Sequence, residues 1–229
     1  MAVLTWDASG SRLYETGVSK GVLFTRTGSN GAYAKGVAWN GLTSVSENPT
    51  GADSNALYAD NIKYLNLVAA EEFEGSIEAY TYPDAFGVCD GSVELVANSG
   101  VTVGQQPRKQ FAICYQTKIG DDTTPERGYK IHILYGLYAA PSEKSYESIN
   151  DSPEAITFSW DVSSTPVEVT KVSGITATSI VVIDSTKIPE AKLKQITDSL
   201  YGTDAAGGSE GTESTLLLPD DIFDILSAT

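Results

Sequence analysis

Histidine and cysteine, which often carry catalysis or bind metals, are scarce in this sequence. It has one histidine, His132, and two cysteines, Cys89 and Cys114, among 229 residues. A Ser-His-Asp triad would have to use His132, and no G-x-S-x-G turn precedes a predicted helix. The two cysteines are too few for a disulfide framework and lack the spacing of a zinc site. The sequence therefore predicts neither an enzyme nor a bound cofactor or metal.

Cationic residues are also scarce. The chain has 15 lysines and arginines against 30 aspartates and glutamates, for a formal net charge of -15 at pH 7. Such a chain repels nucleic acid and anionic membranes, and it does not bind them by neutralising phosphates. Hydrophobic residues still make up 41% of the sequence, which is enough to build the core of one large domain.

Targeting and membrane-spanning segments are not visible in the sequence. The first ten residues, MAVLTWDASG, lack the basic and apolar regions of a signal peptide. No apolar run approaches the length of a membrane span. The expectation is a soluble protein that is made and kept in a reducing cytoplasm.

Short β-rich runs, separated by turn residues, recur along the chain. In the clearest of them, Phe158, Trp160 and Val162 alternate with polar residues and would share one face of a strand. Strands are predicted at 22–24 and 33–39 as a hairpin, and at 61–67, 72–80, 110–119, 128–138, 156–162 and 179–184. This spacing indicates a mainly β (α+β) fold, an antiparallel β-sandwich or barrel-like structure with a flanking helix.

Helix patterns are few. Residues 141–150 are predicted to form two or three helical turns. The pattern at 189–202 is stronger, because Pro189 suits a helix start and Gly202 can end the helix.

The chain is predicted to have three parts. Residues 1–202 form the β-sandwich domain, 203–215 have the composition of a flexible linker, and 216–229 form a C-terminal helical segment or arm. The C-terminal segment has two readings: it packs on its own domain, or it docks on a neighbouring molecule.

The segment 39–64 is predicted to contain a long loop. Its middle, 46–56, consists mostly of small, polar or turn-forming residues. A loop of this length inside a compact domain is usually functional or mobile. A contact surface and a disordered surface loop are the two interpretations of it.

The stretch AAEEFEGSIEAYTYPD, at 69–84, contains an unusual strand. Alternation places Glu72, Glu74, Ser76 and Glu78 on one face, with no lysine among them. The face is an ordinary solvated surface if water, or Lys63, Lys118 or Lys130 on a paired strand, offsets the repulsion. The other interpretation is a surface that must stay close to a polyanion without binding it.

Four stretches of the sequence resemble the major tail protein of long, non-contractile-tailed bacteriophages. Together they cover 87 of the 229 residues, a little over a third of the chain. They are LYADNIKYLNLVAAEEFEGSIEAYTYPDAF (57–86), GQQPRKQFAICYQTKIGDD (104–122), YKIHILYGLYAAPSEKSYESINDSPEAITFSWDV (129–162) and IDST (183–186).

The resemblance implies a structural virion protein of the phage tail, assembled in the host cytoplasm. Such proteins form hexameric rings, and the stacked rings make the tail tube. In each ring, strands from all subunits join into a continuous inner barrel, through which DNA passes without specific binding. The implied partners are other copies of the chain, in the same and adjacent rings, and the tape-measure, tail-tip and tail-terminator proteins. The alternative is a monomeric β-sandwich binding or adhesion module of a virion.

The resemblance also implies roles for two sets of residues. If Glu72, Glu74, Ser76 and Glu78 line a bore, Phe73, Ile77 and Ala79 on the other face of the strand point to the core. A one-residue shift in register would exchange the two faces. The residues assigned to the DNA-facing bore are Glu72, Glu74, Ser76 and Glu78, and those assigned to an inter-ring stacking loop are Asn48, Pro49, Thr50, Gly51, Ala52, Asp53, Ser54, Asn55 and Ala56.

Overall fold

The computed structural model describes residues 3–28, 31–51, 54–68, 71–149, 151, 154–205 and 210–228. Strands dominate it, which confirms the mainly β prediction. The strands are β1 (Tyr14–Thr25), β2 (Val37–Trp39), β3 (Leu42–Thr50), β4 (Ser54–Ala59), β5 (Ile62–Val68), β6 (Glu72–Ala79), β7 (Val93–Glu94), β8 (Thr102–Val103), β9 (Phe111–Gly120), β10 (Gly128–Ala139), β11 (Phe158–Ser164) and β12 (Ile180–Asp184). The helices are a 3-10 turn (Asp84–Phe86), α1 (Gly87–Asp90), α2 (Glu190–Tyr201) and α3 (Pro219–Ser227).

Eight of the strands form one antiparallel sheet in the order β2-β1-β9-β10-β11-β6-β3, with β12 beside β10. Strand β10 changes partner along its length: Lys130–Leu134 pair with β12, and Leu137–Ala139 pair with β11. Gly136 lies at this change with a φ of 60°, and a Cβ there would meet the carbonyl oxygen of Thr165 at 2.2 Å. The position therefore requires glycine. Among the described strands, β2 and β3 end the sheet without closing it into a barrel.

The bent sheet encloses one hydrophobic core between its two halves, and a second hydrophobic core lies on the outer face of one half. The first core lies between β1-β9-β10 and β11-β6-β3, and its members include Leu23, Ile77, Ile113 and Trp160. This arrangement is an antiparallel β-sandwich, as the sequence predicts. The second core lies on the other face of β1, β9, β10 and β12, where α2 and α3 cover it. The molecule thus has helices on one side and the outer face of β11-β6-β3 on the other.

Most of the predicted strands are present, at slightly different bounds. The hairpin of β1 and β2 pairs Leu23 with Val37, although β1 begins earlier than predicted, at Tyr14. Helix α2 confirms the prediction at 189–202, with Pro189 just before its first residue and Gly202 just after its last.

The helix predicted at 141–150 is wrong. Residues 141–149 contain no helix, and Asn150 lies outside the described residues. The apolar side chains of the predicted helical face, Tyr146 and Ile149, are exposed and would have nothing to pack against. Instead the ammonium of Lys144 lies 5.1 Å from the centre of the Tyr82 ring and pairs with the carboxylate of Asp90. This contact ties the non-helical segment to the domain at Tyr82 and Asp90.

The long loop predicted within 39–64 is also wrong. Residues 42–50 form β3, and 54–59 form β4. Strand β3 pairs with β6, where a Cβ at Gly75 would meet the carbonyl oxygen of Ser46 at 2.3 Å. The missing side chain at Gly75 thus allows β3 to approach β6, so pairing across the sheet makes this small, polar segment a strand.

The C-terminal segment packs on its own domain, which is the first of its two predicted readings. Leu216, Leu217 and Ile222 belong to the second core. The residues on either side of the predicted linker's centre are also bonded, because Thr203 and Thr212 exchange backbone hydrogen bonds. Residues 206–209 lie outside the described part of the chain. No helix among the described residues is long and apolar enough to cross a membrane.

Candidate functional site

Strand β6 presents acid to solvent on one face and apolar side chains to the core on the other. Glu72 and Glu74 are exposed, and Ser76 and Glu78 are half-buried. Phe73, Ile77 and Ala79 are buried in the first core, as the alternation predicts.

The two strands beside β6 extend this polar surface. In β3, Ser44, Ser46, Asn48 and Thr50 lie opposite the outward residues of β6, and in β11 Ser159, Asp161 and Ser163 do the same. Residues directly opposite one another in an antiparallel pair point to the same side of the sheet. We call these eleven residues, with Glu72, Glu74, Ser76 and Glu78 at their centre, the acidic face. It contains four carboxylates and no lysine, arginine or histidine.

Of the two ways to offset the repulsion, solvation and a lysine on a paired strand, the structure excludes the second for Lys63, Lys118 and Lys130. Strand β6 pairs with β3 and β11, and none of these lysines lies on either strand. Lys118 pairs with Glu126 at 2.8 Å, and Lys130 pairs with Glu15. Lys63 lies on β5, which is outside the main sheet. The pairing of strands is set by distant parts of the chain, which is why the sequence did not reveal the neighbours of β6.

Because water surrounds these carboxylates, their mutual repulsion costs little free energy. Alternate residues of one strand lie about 6.6–6.8 Å apart. In water, two unit charges at that distance repel each other by about 0.6 kcal/mol, before screening by salt. The isolated chain therefore tolerates the acidic face, and its electrostatic field becomes large only where several copies lie close together.

A second surface feature is a hairpin formed by β4 and β5, residues 54–68, which we call the projecting hairpin. Its two-residue turn is Asp60-Asn61, and both residues have positive φ, as in the turns that favour hairpins. Its strands pair with each other, and none of its residues belongs to either core. Its exposed apolar side chains are Leu57, Tyr58, Ile62, Tyr64, Leu65, Leu67 and Val68. An exposed two-stranded hairpin with apolar side chains on both faces is typical of an interaction surface.

The residues of the predicted stacking loop are divided between two strands. Asn48, Pro49 and Thr50 end β3, Gly51 follows it, and Ser54, Asn55 and Ala56 begin β4. Ala52 and Asp53 lie outside the described residues. The apolar part of the projecting hairpin, 57–68, lies beyond the residues of that prediction, which end at Ala56. Its local signal is the run NIKYLNL (61–67), whose alternation carries apolar side chains on both faces.

A polar cluster links β3 to β1, β9 and β10 at one end of the sandwich. The Nδ1 atom of His132 lies 2.9 Å from a carboxylate oxygen of Glu47, and its Nε2 atom lies 3.3 Å from one of Glu15. The imidazole stacks on the ring of Tyr115 at 4.8 Å, and the Tyr115 hydroxyl donates to Glu47. Lys130 completes the cluster by pairing with Glu15. These contacts are structural ones that hold β3 against the opposite half of the sandwich.

The cluster shifts the pKa values of its members. Burial alone would raise the pKa of Glu47, but hydrogen bonds from His132 and Tyr115 outweigh it, and the pKa falls below its ordinary value. The same balance, with Lys130 as the strongest donor, lowers the pKa of Glu15. Burial raises the pKa of Tyr115 well above its usual range, and the hydrogen bond it donates to Glu47 raises it further.

The stabilisation by Glu15 and Glu47 should be lost in acid. Because folding lowers both pKa values, the two carboxylates contribute stability above the ordinary value of 4.5, and this contribution disappears as the pH falls through their folded-state values. Denaturant unfolding from pH 7 to pH 3 should therefore show a smaller loss of unfolding free energy in Glu15→Gln/Glu47→Gln than in the wild type. Glu147→Gln, at an exposed residue, is the control and should follow the wild type. Parallel curves for all three proteins would contradict the prediction.

The described residues offer little that resembles a reactive centre. They contain no group of three or more histidine, cysteine, aspartate or glutamate side chains arranged to hold a metal ion. Both thiols, Cys89 and Cys114, are buried, and burial raises the pKa of each to about 12. Thiols of this kind are poor nucleophiles.

The distinctive surfaces of this chain are therefore the acidic face and the projecting hairpin. Comparison with known proteins adds no relative: no protein-family model matches the chain, and no curated protein matches it.

Proposed function

We propose that this protein is the tail tube subunit of a siphovirus-type long-tailed bacteriophage. Its hexameric rings stack into a non-contractile tube, and DNA passes through an acidic bore during ejection. The role is structural and not catalytic, and the assembled protein belongs to the virion.

The acidic face is the observation that carries this proposal. A conduit for DNA must not retain phosphates, because each phosphate neutralised by a lysine or arginine adds binding energy. The acidic face has four carboxylates and no cation on three adjacent strands. Six chains at -15 each carry -90 per ring, which supplies a continuous repulsive field around a bore.

The layering of the fold supports the same arrangement. The helices lie on one side of the molecule and the acidic face lies on the other, so a ring can place the helices outside and the acid inside. The sheet ends in two unclosed edges, at β2 and β3. Unpaired edges invite pairing with another chain, and a closed ring of subunits would satisfy them.

The projecting hairpin supports contact between stacked rings. A strand of the length of β5, Ile62–Val68, extends about 24 Å at the usual rise per residue. Its exposed apolar side chains would be covered by a subunit of the adjacent ring. The other partners of the assembled tube in this proposal are the tape-measure, tail-tip and tail-terminator proteins.

Electron microscopy of the purified, concentrated protein tests the proposal. Rings or tubes with an open bore are the expected result. Dispersed monomers would call for a second sample that contains a tail-tip complex as the nucleus of assembly. Monomers in that sample as well would overturn the proposal in favour of a monomeric binding or adhesion module.

A further inference from the structure

A concavity of about 410 Å³ lies beyond the acidic face and is lined by cations, which are scarce in this chain. Its lining residues are Arg26, Gly28, Arg108, Lys109, Gln110 and Tyr138, and we call it the basic concavity. It brings together three of the 15 lysines and arginines of a chain whose net charge is -15.

The cationic side chains of the basic concavity form only some of their possible hydrogen bonds and ion pairs with described residues of the chain. Arg108 donates to the carbonyl oxygen of Ala139 at 2.9 Å and lies 3.9 Å from the carboxylate of Asp90. Arg26 donates to the side-chain oxygen of Gln110, but its buried Nε atom has no hydrogen-bond partner among the described residues. Lys109 is exposed and forms no ion pair with any residue that the structure describes. An acidic group from outside the chain would satisfy these cations.

The register of the strands fixes the position of the basic concavity relative to the acidic face. Tyr138 of β10 lies opposite Ser163 of β11, Ser163 lies opposite Glu74 of β6, and Glu74 lies opposite Asn48 of β3. These residues form one row across the outer surface of the sheet. The row ends at the basic concavity on one side and at the free edge of β3 on the other. The two ends of the row therefore carry opposite charge.

Within one chain the two ends do not meet. Glu74 is two strands away from Tyr138, which corresponds to about 10 Å. Neither Glu72 nor Glu74 forms an ion pair with a described residue. Their neighbours on the edge strand, Thr50 and Asn48, have shorter side chains, so no long side chain at these positions of β3 stands between the two glutamates and a second molecule that packs over this edge.

We propose that the basic concavity of one subunit receives the carboxylates of Glu72 and Glu74 from a second copy of this chain, across the free edge of β3. The contact is head-to-tail, because it joins two different surfaces of identical chains, and such contacts generate rings when the rotation closes. This inference rests on the proposed ring and identifies the surfaces that join its subunits.

A second copy fits the basic concavity better than DNA does. A phosphate bound at Tyr138 would lie about 10 Å from Glu74 of the same chain, beyond the screening length of about 8 Å at physiological ionic strength, so salt largely screens the repulsion from this one carboxylate. The net charge of -15 on the whole chain is what disfavours DNA at this position. A glutamate of a neighbouring subunit brings single charges that match single cations, and pairing removes positive charge from the wall of a bore that must not retain DNA.

The test uses two charge reversals in the full-length protein, Lys109→Glu and Glu74→Lys. Each variant alone puts like charges at every junction, and we expect at least a tenfold rise in the protein concentration needed for assembly, measured by light scattering and electron microscopy. The double variant restores opposite charges at each junction. An equimolar mixture of the two single variants also restores them, because alternating copies in a ring of six place unlike charges at all junctions.

Two controls separate this junction from general effects of charge. Glu78→Lys reverses a charge elsewhere on the acidic face, about 13 Å along the strand from residue 74. Lys194→Glu reverses a charge on the exposed surface of α2. Both should assemble close to the wild-type concentration. Circular dichroism and thermal unfolding establish that each variant is folded.

The outcomes distinguish this inference from the proposed function. Loss of assembly in each single variant, with recovery in the double variant and in the mixture, supports it. If the wild type forms rings and Lys109→Glu forms them equally well, the proposed contact between Lys109 and Glu74 is wrong, but the proposed tail tube function is not contradicted. Loss without recovery also overturns the pairing of Lys109 with Glu74. A wild type that stays monomeric even with a tail-tip complex overturns the ring and the junction together.

Discussion

Replacing Ile62 and Tyr64 of the projecting hairpin with aspartate should abolish stacking into tubes while single rings still form. Both side chains lie on the same face of β5, and they are 66% and 70% exposed. A buried apolar side chain contributes about 1.5–3 kcal/mol, and a charge in its place would also have to be desolvated. The loss is repeated at every subunit of a ring. Electron microscopy and sedimentation of the variant measure the result.

The opposite face of the hairpin provides a second variant. Leu65→Asp/Leu67→Asp tests that face, and comparison of the two variants identifies the one that docks on the next ring. The conservative Ile62→Val/Tyr64→Phe keeps both side chains apolar and should stack normally. The unfolding free energy of every variant should stay within about 0.5 kcal/mol of the wild type, because exposed positions contribute little to it. If both aspartate variants form normal tubes, the hairpin is not part of the contact between rings.

Replacing Trp160 with alanine should lower the unfolding free energy by about 3–5 kcal/mol. Trp160 is completely buried at the centre of the first core, and its ring meets those of Trp39, Tyr82 and Phe86 at centroid distances of 5.0–5.8 Å. Its indole nitrogen donates to Asp90 at 3.1 Å. The truncation leaves a cavity and an unsatisfied carboxylate oxygen, and denaturant unfolding measures both losses together.

Two further variants separate the causes of that loss. Trp160→Phe keeps an aromatic ring but removes the hydrogen bond to Asp90, so it should cost clearly less than alanine. Trp6→Ala changes a tryptophan that is 77% exposed and should leave the unfolding free energy within about 0.5 kcal/mol. Equal effects at the two tryptophans would contradict the position of Trp160 in the core.

The sequence predicted the elements whose signal is local. The alternation of acid and apolar residues places β6 with the correct face toward the core, and Pro189 and Gly202 bracket α2. Both signals depend on residues within a few positions of each other. The apolar alternation at 62–67 is also a local signal, although the predicted stacking residues are those at 48–56.

The rest depends on contacts between residues far apart in the sequence. Strand β3 has small, polar residues, and its conformation follows from pairing with β6 at Gly75. The neighbours of the acidic residues depend on that pairing too, which is why the sequence alone left open whether lysines or, as in the structure, serines and Asp161 lie beside them. The cluster around His132 joins side chains more than 80 positions apart, Glu47 among them, and no local pattern could reveal it.

The projecting hairpin is inserted between two strands that pair with each other. Strand β3 leads into β4, β5 leads into β6, and three residues separate the strands at each connection. In the proposed tube, the projecting hairpin contacts the next ring, and it is connected along the chain to β3 and β6, the strands that line the bore. A torque applied at one end of the tail would pass from ring to ring through the channel wall itself. In such a tube, the rotation between successive rings and the wall of the bore are therefore mechanically coupled.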